Sequence, residues 1–408
     1  MAETASAARV GRVEFTGSRH ELLAIIVRGY ALMLPTIGLY RFWQATWKRR
    51  FYWQNTVIDG EPLEYTGTAS QLLAGFFFAL AFFLPIYVAL FALSMQQSGL
   101  VAAGYLGIAA VIWFLMGYAI YRARDFRLSR TLWRGIRFDM RGNAWAYALR
   151  RFLWSIAMVA TAGLAYPWMA SSLWRYRWRN TWYGDRQFAI SGNWRAFAGS
   201  YYAAYLVNLA AIGGTAAWIA STRDIVTVDG LPAPGPLSLL ACLGCVALLA
   251  LSLAWYRSRT ASRMLSTVSL GEARLAVKIG AGALFGQFVV YALGVAALLM
   301  LLALAVIVVA AAVYAAATQA GRPPDADTLM SPFQSGAVNL ALLILGYLVV
   351  LGALGLLAEI VLRLGWWRLL ARGSTIEGVD SLRTVRAAPE DRALIGQGLA
   401  DALNVGAY

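Results

Sequence analysis

Charge is what this chain has least of. Only 13% of its 408 residues are Asp, Glu, Lys or Arg, while 60% are hydrophobic and the mean hydropathy is +0.60. A soluble domain carries roughly a quarter of charged residues, so an ordinary water-soluble globule is excluded. Histidine is represented by His20 alone, lysine by Lys48 and Lys278, and cysteine by Cys242 and Cys245 inside an apolar run. These leave zinc without a ligand set, and no metal is expected. The two cysteines read as small apolar helix residues. His20-Glu21 does not begin an H-E-x-x-H motif, because position 24 is Ala24. No phosphate-binding glycine loop, nucleophile elbow or paired carboxylates occur, so neither enzyme chemistry nor a cofactor is expected. Asp224, Asp229, Asp325 and Asp327 are too scattered to define a site. The opening stretch "MAETASAARVGRVEF" lacks the basic-then-apolar pattern of a signal peptide.

What the chain does have is apolar runs of more than about 18 residues, the signature of a polytopic helical membrane protein. The expected fold is all-α, with parallel internal repeats of transmembrane helix pairs, interfacial or re-entrant half-helices, and small cytoplasmic β-hairpins. A closed barrel is excluded on this reading, because its strands would alternate apolar and polar residues. The crossings fall at 72–93, 100–121, 197–219 and 237–255, with two more inside the apolar stretches 279–318 and 336–361.

The net charge of +15 is carried by arginine, 33 of the 35 basic residues. These follow the ends of apolar runs, which argues for membrane lipids as partners and against nucleic acid. The connections 94–99, 220–236 and 319–335 hold only Arg223 and Arg322, whereas 122–151 alone holds nine arginines. The basic side is the cytoplasm, so both termini are expected there. Segments 22–43 and 147–168 are apolar but flanked by arginine at both ends. Six crossings preserve the charge rule and eight break it. These two segments therefore enter and return, or lie in the interface, breaking at "LPTIGLY" and "TAGLAYP".

The two segments are copies, 125 residues apart without a gap. Gly17 aligns with Gly142, Thr36 with Thr161, Gly38 with Gly163, Trp43 with Trp168, Arg50 with Arg175, Asn55-Thr56 with Asn180-Thr181, and Gly67 with Gly192. Such matches point to duplication. The units expected are 1–121, 122–256 and a degenerate 257–378, followed by a tail at 379–408. Hairpins are expected at 55–67, around Asp59-Gly60, and at 180–192, with the same spacing once more at 130–142. In the third unit the half-helix is read as fused to the next crossing and the hairpin as lost. "LARGSTIEG" (370–378) reads as a final remnant.

"FTGSRHELL", "TIGLYRFWQATWKRRFYWQNT", "GEPLEYTGTASQLLAGF" and "IGQGLADALNV" resemble the YjgN-like family of bacterial inner-membrane proteins, a domain of unknown function. The resemblance covers essentially the whole chain and implies a multi-pass cytoplasmic-membrane location, with no activity or ligand attached. The second unit departs from it at "LAYPW".

Candidate sites follow from residue chemistry. Arg49, Arg50 and Trp53, with Arg175, Arg177 and Trp178, form arginine–tryptophan clusters that serve either as interface anchors or as grips for anionic headgroups. Glu359 and Arg363 are one helical turn apart in the last crossing, and Asn208, Gln287 and Asn339 are further polar residues in crossings. Asn55 and Asn180 are expected to tie off helix ends or start the hairpins. Two functions compete: transport of a small amphiphilic or lipid-like molecule, and a non-catalytic lipid-binding or membrane-organising scaffold.

Overall fold

The computed structural model describes residues 9–95, 100–222, 224–228, 231–319 and 336–388. The chain divides into two compact units, one formed by residues up to Ala281 and from Arg368 onward, the other by Gly282–Trp367.

In the first unit each helix that carries the N-T or a similar polar exit runs straight into a short strand. The strands are β1 (Val10–Phe15), β2 (Thr56–Ile58), β3 (Glu61–Tyr65), β4 (Thr131–Trp133), β5 (Ile136–Met140), β6 (Thr181–Tyr183) and β7 (Arg186–Ile190). After a separate hairpin of β8 (Ile225–Val228) and β9 (Leu231–Pro234) come β10 (Val268–Leu270), β11 (Ala273–Val277) and β12 (Ser374–Glu377). Ten of these pair antiparallel in chain order into a closed barrel, sealed where β1 meets β12 through Arg12 opposite Thr375. Asp59-Gly60 and Arg134-Gly135 turn their hairpins with positive φ at both residues, as a two-residue type I′ turn requires.

The all-α expectation is therefore overturned, as are the exclusion of a closed barrel and the loss of a hairpin in the third unit. A lone hairpin is marginal and exposes two unpaired edges. Five strand pairs side by side use those edges, and closure removes the last two. The alternation argument concerned strands that span a bilayer, which need about 9–11 residues; these have three to six.

The lumen is filled. Trp133, Tyr183, Leu270 and Ala273 are buried together with Val379, Leu382 and Val385 from the segment after β12, with Phe138, Phe188 and Ile376 against them. That segment contains a 3-10 turn, Val379–Thr384. It leaves β12 beside β1, where the Val379 N–H donates to the Arg9 carbonyl. It ends at the β6–β7 turn, where Asp185 and Arg386 exchange hydrogen bonds at 3.0 and 3.1 Å. β1 and β6 stand five strands apart in a ring of ten, so the segment straps the turn-side mouth.

The helical pairs of this unit leave from the opposite rim. The pairs α1 (Arg19–Met33) with α2 (Arg41–Gln54), and α5 (Ala144–Ala160) with α6 (Tyr166–Arg179), have 14 to 17 residues per helix. That is short of the ~20 a crossing needs. Their tips share one geometry. Thr36 Oγ1 donates to the Leu32 carbonyl and accepts from the Tyr40 N–H, as Thr161 does with Ala157 and Ala165. Ile37-Gly38 and Ala162-Gly163 then reverse the chain with positive φ. The long pairs are α3 (Ala69–Ser94) with α4 (Leu100–Ser129), and α7 (Arg195–Thr222) with α8 (Pro236–Leu265).

The second unit holds most of α9 (Ala281–Gln319), then α10 (Gly336–Leu357) and a π-helical stretch, Ala358–Arg363, leading into α11 (Leu364–Arg372). Gln287 packs against Gly365, where an added Cβ would come within 2.8 Å of its amide. Across the described residues six helices are long and apolar enough to cross a membrane, each with no more than 18% of its most apolar window buried. Side chains such as Phe78, Leu106 and Val306 present the exposed apolar surface that lipid would cover.

Candidate functional site

The junction between helices and barrel is built by one repeated device. A helix leaves its last carbonyls unpaired. Here the first strand residue answers them: the hydroxyls of Thr56, Thr131, Thr181 and Ser374 donate to the carbonyls of Tyr52, Arg127, Arg177 and Leu370 at 2.6–2.9 Å. Asn55 and Asn180 add a second bond, Nδ2 to the Phe51 and Tyr176 carbonyls at 2.9 and 2.7 Å. The glycines Gly17, Gly67, Gly142 and Gly192 lie just beyond strands, where the backbone passes close to a neighbour. Gly67 lies against the Tyr65 ring and Gly142 between Tyr121 and Asn180, leaving no room for a Cβ.

Arginines and aromatic rings interleave above this junction. Arg49 donates to the Tyr65 hydroxyl at 3.0 Å. Arg50 donates to the Gly67 carbonyl at 3.3 Å and lies 5.5 Å from the centre of the Trp47 ring. Trp53 Nε1 donates to Thr131 Oγ1 at 2.8 Å, tying α2 to the second hairpin. Arg175 reaches Ser171 Oγ at 3.5 Å. Arg177 stacks over Trp174, Trp174 packs on Trp178 with ring centres 5.6 Å apart, and Arg124 lies 4.9 Å over Trp178. Arg151 lies 5.8 Å from Trp113. The Nε–H groups of Arg124, Arg151 and Arg177 and the indole N–H groups of Trp174 and Trp178 are buried with no acceptor among the described residues. Arg130, just after α4, is buried, its Nε on Gln71 Oε1 at 3.2 Å, and burial lowers its pKa below the usual arginine range.

The remaining candidates lie apart. Glu359 is buried and pairs with Arg363 at 2.8 Å within the second unit. Asn208 Oδ1 and Gln287 Oε1 are buried without a partner among the described residues. Asn339 lies in α10, its side chain outside the described residues. Among the described residues no group of three or more His, Cys, Asp or Glu side chains comes together.

Sequence reasoning missed Arg124. A signal was present, since Arg124 stands seven residues before Thr131, as Arg49 does before Thr56 and Trp174 before Thr181. It also missed the tyrosines of α7. Tyr201, Tyr202 and Tyr205 donate to the carbonyls of Gly163, Leu164 and Ala162 at 2.8–3.0 Å and so cover the tip of α5–α6.

Six helices long and apolar enough to cross a membrane, in a chain that also forms a strapped barrel edged with arginine and tryptophan, define a membrane-associated protein. The chain belongs to a family of bacterial proteins of unknown function, DUF898, whose model matches residues 10–402. No curated protein and no solved structure matches it.

Proposed function

We propose that this is a non-catalytic protein of the bacterial cytoplasmic membrane that holds anionic lipid headgroups where its helices join its barrel. The observation that carries the proposal is that Arg124 and Arg177, both partly buried, lie over the indole rings of Trp178 and Trp174, with no carboxylate paired to either among the described residues. Buried donors left unmade cost free energy, and buried cations more so. Phosphate oxygens are the acceptors a headgroup brings, and the arginine fork matches them. The apolar filling of the lumen speaks for lipid holding over passage through the barrel. The arginine distribution supports a cytoplasmic position for the barrel. The shared tip and exit geometries support duplication of a helix–hairpin unit.

The test is lipid retention by the full chain extracted from membranes. Arg124→Gln with Arg177→Gln is expected to strip anionic phospholipid from the protein while zwitterionic lipid is kept. Unchanged anionic lipid, with normal helix content, would remove the proposal.

A further inference from the structure

The two short helical pairs copy each other's tips and exits, yet they differ at one place on their membrane-facing side. Between α2 and the first turn of α3 a cleft of about 250 Å³ stands open, lined by Trp43, Trp47, Arg50, Thr68, Ala69 and Ser70. The corresponding place between α6 and the start of α7 is occupied by the protein itself. There the residue in the Ala69 position is Trp194, whose ring packs on Trp168, the partner of Trp43, with centres 4.7 Å apart. One copy carries its own ring and the other leaves the space.

We infer that the cleft in the first copy is a site for a single anionic phospholipid, with its phosphate at Arg50 and its first acyl segment along Trp47 and Trp43. The inference rests on the reading that lipid phosphates are held at this junction, and it adds a discrete site. The axis of α2 sets the orientation. Trp43 lies toward the tip of the pair and Arg50 seven residues on, about two turns or ~10 Å nearer the barrel. The apolar end thus lies at membrane depth and the charged end at the barrel rim. Arg50 is half-buried, and it meets a neutral carbonyl and the Trp47 ring. No carboxylate pairs with it among the described residues. The hydroxyls of Thr68 and Ser70, 3.1 Å apart, stand across the cleft and supply donors to phosphate oxygens. The resident of the second copy, an indole packed at a tilt on another indole, argues that the apolar half suits hydrocarbon.

The second copy also supplies the test. Ala69→Trp should build into the first copy the ring that Trp194 provides in the second. Native mass spectrometry of the full chain, titrated with phosphatidylglycerol or phosphatidylcholine, is expected to show one tight phosphatidylglycerol on the parent. Its affinity should fall about tenfold or more in Ala69→Trp, a loss easily resolved against the parent. If that variant fails to fold, Arg50→Gln reads the same site and should lose the preference for phosphatidylglycerol over phosphatidylcholine. Retention of the tight lipid by folded Ala69→Trp, or of the preference by Arg50→Gln, would overturn the site. Displacement of the lipid by inorganic phosphate alone would overturn the acyl half of the proposal in favour of a free-anion site. The general reading fails separately, because it is read on Arg124 and Arg177, outside this cleft.

Discussion

Tyr183 shows how one side chain ties the lumen together. Its ring is 1% exposed, packs on Trp133 and Phe138, and its hydroxyl donates to the Trp133 carbonyl at 2.9 Å. Burial pushes its pKa up to about 12 from 10.0. The folded state thus keeps the proton that the unfolded chain gives up first. The associated stability is whole below pH ~10 and drains away as the pH rises through the folded pKa, by about 3 kcal/mol at most. Denaturant titrations at stepped pH are expected to show this decline in the parent and a flatter profile in Tyr183→Phe, which at neutral pH loses only the hydrogen bond, about 1 kcal/mol. Equal alkaline slopes in both would show that Tyr183 does not govern it. Outside the lumen, Gln71→Ala leaves the buried Arg130 Nε without its acceptor and should cost about 1–3 kcal/mol, read by the same denaturant titration. At this scale the sequence was legible where chemistry is local. Asn-Thr after a helix marks a capped exit whatever lies beyond. Arg124 was not legible, because its burial comes from α6, which packs its indoles against α4 from fifty residues away.

The elements were readable in proportion to how locally they are specified. The Thr-x-Gly breaks and the Asp59-Gly60 turn announce themselves, since a hydroxyl that bonds back one turn and a residue free to take positive φ suffice to reverse a chain. The hairpin of β10 and β11 was missed because its exit reads Ser-Thr-Val, with Thr267 one place early and bonded to Met264 three residues back. β1 was missed because a strand with partners only at 56–58 and 375–377 has no local signal. The tips themselves pose a problem, since carbonyls freed where a chain reverses must find donors. α7 solves it for α5–α6 with three tyrosines. The corresponding α3 positions are Phe76, Phe77 and Leu80, so the tip of α1–α2 has no such cover from that register. Replacing Tyr201, Tyr202 and Tyr205 with Phe is therefore expected to raise hydrogen exchange at 162–166 while leaving 37–41 unchanged. Equal protection at 162–166 before and after would show that the hydroxyls are dispensable.

At the scale of the molecule, closure of the barrel turns separate topological questions into one. Its strands come from positions 10–15, 56–65, 131–140, 181–190, 268–277 and 374–377, and every one is hydrogen-bonded to two neighbours. A bilayer cannot pass between strands that share a ladder, so all these segments lie on the same side, whichever side it is. Each helical excursion must then cross an even number of times or not at all. The two short pairs, with 14 to 17 residues per helix, return without crossing. Arginine counting alone needed the charge rule at every loop to reach this arrangement; ladder closure needs it only once, to choose the cytoplasmic face. Single cysteines placed at Asp59, Arg134, Asp185 and Glu272, one per hairpin turn, in a chain with Cys242 and Cys245 replaced, give the decisive reading. An impermeant thiol reagent applied to intact cells is expected to leave all four unlabelled and to label all four once the membrane is opened, whereas a cysteine at Asp224, before the β8–β9 hairpin, should react in intact cells. A split result, with the turn at Asp185 reached from outside and the turn at Asp59 protected, cannot be reconciled with a closed ring.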